Sequence, residues 1–327
     1  MCRNARNLLI LSAFRNQLRV SIKFRNILVL RKQISENPLD EILRVRLRLS
    51  ANAGFRVAML RRLMQAIDWP SRLIAGQPFF AVRESIEILT YLGERTDRDL
   101  IKALLALNGG TKIAPHGIEN IPKSGPVVIG STHPVGTFDF ISHAAALMDH
   151  RPDMKVVANR EAARFLGADR IIAVDFDRSD KVLTARQTRE GMQAHLEASG
   201  ALLVFGSGKV PDMVKGRLVE PPWRQGVTRM SLAANAPIVP ASPDMKNTPY
   251  YYAVRKWARI LSGNNAYIGR EVASLRYVSE LLAKFGGRFN VHYGQLQPPG
   301  TSAERLKELA EGLVPGLYET PKPESRD

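Results

Sequence analysis

The sequence predicts an α/β fold, with a mostly parallel central sheet flanked by helices and a basic helical extension ahead of it. Three observations predict it. Short apolar runs rich in β-branched residues recur at Val127–Ile129, Lys155–Ala158, Ile171–Val174, Ala201–Phe205, Ile238–Ala241 and Phe289–Tyr293. Longer helical patterns separate most of them, at 139–149, 180–199, 225–235 and 271–285. Strands buried on both faces read as continuous apolar runs, and their alternation with helices is the signature of a helix-covered parallel sheet. The third observation is charge. Residues 1–35 carry Arg3, Arg6, Arg15, Arg19, Lys23, Arg25, Arg31 and Lys32 and no acidic side chain, half of the net charge of +16.

At 327 residues the chain can bury a full core, and 45% apolar with 24% charged residues is ordinary for a folded protein. The one cysteine, Cys2, excludes an internal disulfide and a cysteine-cluster metal site. No metal and no cofactor is expected. No run reaches the ~18–20 apolar residues that span a bilayer. The basic first 35 residues read equally as a polar tail or as a membrane-surface helix, and less well as a transit peptide.

Residues 39–66 are expected to be helical. Apolar side chains from Leu39 to Leu63 interleave with arginines, a pattern that suits a helix lying in a lipid interface, favoured here by a shortage of acidic partners. Trp69-Pro70 is expected to break that helix, with Trp69 as an interfacial anchor. Residues 81–107 form a further helical stretch closed by Gly109-Gly110. The C-terminal helix is expected over 302–318, followed by a polar tail over 321–327. The domain reading is a basic helical membrane-associating region over 1–110, a catalytic domain over 111–320 and the tail.

Four segments carry chemistry. In Val127–Phe140 a buried strand runs into a turn that ends at His133-Pro134, and Asp139 follows five residues further on. A histidine at a strand end faces ligands, and a nearby carboxylate fixes its tautomer for general-base work. In Ile171–Ser179 a strand delivers Asp177 and Arg178, the latter suited to phosphate or carboxylate. In Gly200–Lys209 a strand leads into Gly206-Ser207-Gly208-Lys209, a turn whose amides suit an anion. The fourth is Glu220-Pro221-Pro222-Trp223-Arg224-Gln225-Gly226, followed by a strand between Pro237 and Pro240. Taken singly, each also reads as ordinary structure: an ion pair, a tight turn, a loop before a helix. No GxGxxG or Walker A sequence is present, so nucleotide cradles are unsupported.

In order and spacing these segments resemble the lysophospholipid (glycerolipid) acyltransferases, the group with a His-x4-Asp signature. Gly117–Pro122 is similar to the family's lead-in, His133 and Asp139 to its catalytic pair, Asp177-Arg178 to its second block, Phe205–Val210 to its third and Pro237–Pro240 to its fourth. The likeness covers roughly residues 111–243. The His-x5-Asp spacing, with Pro134, Gly136 and the Pro-Pro-Trp-Arg run, resembles the hemolysin-like branch that includes lyso-ornithine-lipid acyltransferases. In the third block that branch carries a glutamate where this chain has Lys209.

The resemblance implies an α/β acyltransferase that moves a fatty acyl group from an acyl thioester, acyl-CoA or acyl-carrier protein, to the hydroxyl of a lysolipid acceptor of the 1-acylglycerol-phosphate or lyso-ornithine-lipid type. His133 is then the general base oriented by Asp139. Arg178, Ser207, Gly208, Lys209 and Arg224 are the substrate-binding candidates. The expected setting is the cytoplasmic face of the inner or plasma membrane, peripheral or monotopic, on an anionic surface. Two other readings stand beside it. One is a family member retired from catalysis and kept for lipid binding. The other, suggested by charge alone, is nucleic-acid binding, which the scarcity of aromatic residues among the N-terminal basic ones disfavours.

Overall fold

The computed structural model describes residues 37–46, 49–50, 52–159, 167–174 and 181–319. The basic residues 1–35, Asp177 and Arg178, and the tail 321–327 lie outside them. The chain divides into two compact units, one ending at Tyr91 and one beginning at Leu92.

The first unit is helical: α1 (Pro38–Arg46), α2 (Gly54–Ala75) and α3 (Val82–Leu92), which ends at the unit boundary. Leu39 and Leu43 of α1 bury against Val57 and Val82. The sequence expectation of a break at Trp69-Pro70 is wrong: α2 runs through Pro70 and stops at Gly76, which takes φ +69°. A proline removes one backbone donor, and here it does so within two turns of an end that is already held. The buried Asp68 carboxylate accepts from the amides of Phe80 (2.6 Å), Ala81 and Val82 (2.8 Å), tying the end of α2 to the start of α3. The supposed shortage of acidic partners also fails in part, since Arg61 pairs with Asp40 and Arg72 with Glu84. The outer face of α2 is apolar: Phe55, Met59, Leu63, Trp69, Leu73 and Ile74 are all exposed.

The second unit opens with α4 (Asp97–Leu105), so the single helix expected over 81–107 is two, separated by a turn at Gly93, which takes φ +53°. Its centre is a seven-stranded sheet of β1 (Lys112–His116), β2 (Val127–Ser131), β3 (Lys155–Ala158), β4 (Ile171–Ala173), β5 (Ala201–Phe205), β8 (Ile238–Asp244) and β9 (Arg288–Tyr293). The order is β1-β9-β8-β2-β5-β3-β4. Every neighbouring pair is parallel except β8–β9, which is antiparallel. β6 (Asp212–Val214) and β7 (Arg217–Val219) form a separate antiparallel hairpin. Neither β1 nor this hairpin shows as an apolar run, because both are largely exposed.

Helices follow the strands: α5 (Thr137–Leu147), α6 (Lys181–Glu197), α7 (Gly226–Ala233), α8 (Pro249–Leu261), α9 (Ala266–Ser274), α10 (Tyr277–Leu282) and α11 (Ala303–Gly312). The helix expected over 271–285 is thus two, broken between Ser274 and Tyr277, and α11 ends well short of 318. One core layer packs α6, α7 and α11 residues such as Leu196, Met230 and Leu306 on Val128, Leu202 and Ile238 of the sheet. β2, at the centre, is buried along its whole length. Its register puts Ser131 beside Phe205 on one side and Ala241 on the other. From β2 the chain builds strands to one side and then returns to the other at β8, so the carboxyl end of β2 is a topological switch point, where open α/β sheets bind ligands.

Candidate active site

His133 lies two residues beyond the end of β2. The loop from His133 to Gly136 then folds back over the first turn of α5, which begins at Thr137 rather than at Asp139. Gly136 takes φ +89°, a conformation that side-chain-bearing residues rarely adopt. That bend lets the amides of Val135 and Gly136 both donate to Oδ2 of Asp139, each at 2.9 Å. Asp139 is thus the third residue of α5, and its side chain caps the Gly136 amide at the helix start. A carboxylate is well placed there, at the positive end of the helix. Nδ1 of His133 stands 3.0 Å from the same Oδ2. The approach is close but is not aligned as a hydrogen bond. Asp139 is fully buried, while the His133 side chain is 19% exposed. The histidine ring lies on Phe205, with centroids 4.1 Å apart and planes 27° apart. With Nδ1 on the Asp139 side, Nε2 is the edge available to a reactant.

Behind this pair the polar groups are buried. His143, on α5, shares hydrogen bonds with the Ser131 hydroxyl (2.9 Å) and the Tyr293 hydroxyl (3.0 Å). Burial, and then repulsion by any charge on His133, push the His143 ring down to about 3. It is a neutral structural histidine that fixes the end of β2. The Thr132 hydroxyl meets Ser242 at 2.9 Å, and Ser242 meets Tyr318 at 3.3 Å. Lys284 is buried nearby and donates to Asn247 at 3.2 Å. Burial lowers its amine, opposed by Glu280 and then by Asp139.

The turn Gly206–Lys209 follows β5 and joins β2 directly, because the Gly206 amide donates to Ser131 O at 2.9 Å. The Gly208 amide closes the turn on Phe205 O, and the Lys209 amide donates to the Ser207 hydroxyl. The Ser207 amide is the one in the turn with no acceptor among the described residues. Gly206 is held close to Trp223: a Cβ there would sit 2.0 Å from the indole, and one on Gly130 of β2 would sit 3.2 Å from it. The indole therefore locks the strand before His133 to the strand before the turn. Its N–H donates to the buried carboxyl of Glu220 at 3.2 Å. Burial pushes that carboxyl up to about 8, against the smaller opposing effects of Ser207 and Trp223.

Of the sequence-predicted site residues, the structure brings together His133, Asp139, Ser207, Gly208, Lys209 and Arg224. Lys209 and Arg224 are exposed at the turn. The Arg224 amide donates to Gly206 O at 2.9 Å, and its guanidinium lies beside Gly208. Arg178 lies outside the described residues. Glu220 and Trp223 were visible in the sequence as neighbours of Arg224, but nothing there placed them under the turn. Lys284 and Tyr318 had no sequence signal.

Residues 112–243, from β1 to β8, match the family model for acyltransferases. Those residues form an acyltransferase domain. The match supports reading the chain as an acyltransferase enzyme. It is 22% identical over 236 residues to the lyso-glycine lipid O-acyltransferase of Bacteroides thetaiotaomicron, covering 68% of this chain and 84% of that one. The solved 1-acyl-sn-glycerophosphate (LPA) acyltransferase PlsC of Thermotoga maritima overlays 80% of this chain and all of its own, at TM-score 0.43 and 13% identity. Both the His133–Asp139 segment and the Gly206–Lys209 turn fall inside the matched residues.

Proposed function

We propose that this acyltransferase moves a fatty acyl group from an acyl thioester, acyl-CoA or acyl-carrier protein, to the hydroxyl of a lysolipid. The observation that carries the reading is the contact of His133 Nδ1 with an Asp139 carboxylate that two backbone amides hold in place. Nε2 of His133 takes the hydroxyl proton as the oxygen attacks the thioester carbonyl. Asp139 keeps the ring in the tautomer that leaves Nε2 open, and stabilises the imidazolium. The tetrahedral oxyanion needs a donor aimed at it, and the Ser207 amide is the candidate. Collapse expels the thiolate, which takes the proton back from the imidazolium. Lys209 and Arg224, with Arg178, offer positive charge to an anionic head group or to donor phosphates.

The acceptor on this reading is a lyso-glycine lipid, as the name of the Bacteroides relative has it, or the lyso-ornithine lipid that the sequence resemblance implies, with lysophosphatidic acid as the comparison. Such acceptors live in bilayers. The exposed apolar face of α2, together with the basic residues around it, fits a peripheral association of the 1–110 region with an anionic leaflet, its expected site being the cytoplasmic face. No described helix is long and apolar enough to cross a membrane.

The test is acyl transfer by purified protein from labelled acyl-CoA and acyl-carrier protein to each acceptor. His133→Ala is expected to lower the rate by ~10³-fold or more while melting like the parent. Turnover within ~10-fold of the parent would remove His133 as the base.

A further inference from the structure

We propose that the tip of the α8–α9 helix pair is a second lipid contact, through which the catalytic unit itself rests on an anionic bilayer. The proposal builds on the lysolipid reading above and adds a surface to it. At the end of α8 and the start of α9, Trp257 is 60% exposed, Leu261 82% and Tyr267 62%, and Ile260 and Ile268 are exposed beside them. Scattered apolar side chains are normal on a surface. Here they gather at one reverse turn.

That turn is firmly built. Asn265 caps α9 by accepting from the amides of Tyr267 (3.0 Å) and Ile268 (3.2 Å), and the Gly263 amide donates to Ile260 O. Gly269 lets the two helices approach closely, since a Cβ there would sit 2.9 Å from Arg255 O. A segment entering the apolar edge of a bilayer must satisfy its own backbone groups, and this one does so in large part.

The charge around the tip selects the occupant. Lys256, Arg259 and Arg270 border it, and Glu271 is the one acidic residue between Pro249 and Leu275. Tryptophan and tyrosine beside aliphatic side chains, rimmed by lysine and arginine, are what a lipid interface with anionic head groups accepts. Protein interface cores are instead depleted in lysine.

The base of the pair joins the candidate site. Arg255 is buried and pairs with Asp212 at 2.5 Å while donating to Val210 O and Pro211 O, just beyond the Gly206–Lys209 turn. Tyr251 of α8 stacks on Tyr277, which abuts Gly136 of the His133 loop. A tip seated in lipid therefore holds the acceptor's bilayer at a fixed distance from His133.

The chain has three tryptophans, Trp69, Trp223 and Trp257. Trp223 is buried, so in a full-length Trp69→Phe variant a change in emission on adding vesicles reports Trp257. With phosphatidylglycerol vesicles carrying brominated acyl chains, the expected result is co-sedimentation with a blue shift and quenching. Leu261→Asp should weaken sedimentation by ~10-fold and leave turnover of a water-soluble short-chain acceptor unchanged. Sedimentation with unchanged Trp257 emission would overturn this inference and leave the lipid-surface reading standing. No sedimentation at all would sink that reading as well. A blue shift that appears without vesicles and grows with protein concentration would mean that a second copy covers the tip, and would also overturn the inference.

Discussion

The His133 loop and the Gly206–Lys209 turn leave adjacent strands side by side, yet they are held in different ways. The first is held by charge: two amides and a histidine converge on one buried carboxylate oxygen at a helix start. The second is held by shape: an indole fills the space over two glycines and leaves no room for a methyl group at Gly206. The buried Asp139 carboxylate answers two amides and the histidine at once, so no neutral side chain replaces it. The turn takes its position from Trp223 beneath it, which leaves outward residues such as Lys209 replaceable.

The charge-held half should be the more fragile in catalysis. Asp139→Asn keeps the size of the side chain but replaces an accepting oxygen and its charge, so we expect ~10³-fold or more loss in kcat with little change in KM. A loss confined to KM would show that Asp139 shapes binding instead. The shape-held half should be the more fragile in folding. Gly206→Ala must displace the Trp223 ring, with an expected cost of ~1–3 kcal/mol by urea unfolding. An unchanged midpoint would mean that the indole does not clamp the turn.

A third effect is expected on pH dependence. The Glu220 carboxyl is pushed up to about 8 in the fold, from an ordinary 4.5. The native state keeps that proton where the unfolded chain releases it. The associated stability is complete below about 4.5 and drains away as pH rises toward 8. His143 runs the other way: held down at about 3 from 6.5, it favours the fold above 6.5 and loses that advantage as pH falls toward 3. Glu220→Gln should therefore flatten the decline between about pH 4.5 and 8 and leave the curve below that window unchanged. Parallel stability curves for parent and variant would show that the carboxyl is not buried as described.

The central strands were legible in the sequence because burial made them unbroken apolar runs: β2 and β5 begin where the pattern put them. What the pattern missed is exposed or amphipathic. β1 is a mostly exposed edge strand, and α8 hides among tyrosines whose burial depends on distant partners such as Tyr277 and Tyr318. Pro70 misled because a local breaker was overridden by the contacts of Asp68. In the candidate site, the residues proposed to meet a reactant came from contiguous motifs and could be read. The supporting ones lie far apart in the chain, Glu220 in a loop, Lys284 in a turn, Tyr293 at the end of β9 and Tyr318 at an isolated bridge, and only the folded chain gathers them near the site.

The central claim is that His133 and Asp139 act as one unit. It is tested most directly by a double-mutant cycle in the single-turnover rate of acyl transfer, comparing His133→Ala, Asp139→Asn and the double variant. If Asp139 works through the His133 ring, the double variant is no slower than His133→Ala alone. If the two losses multiply, Asp139 acts independently of His133 and the pair is not the catalytic unit.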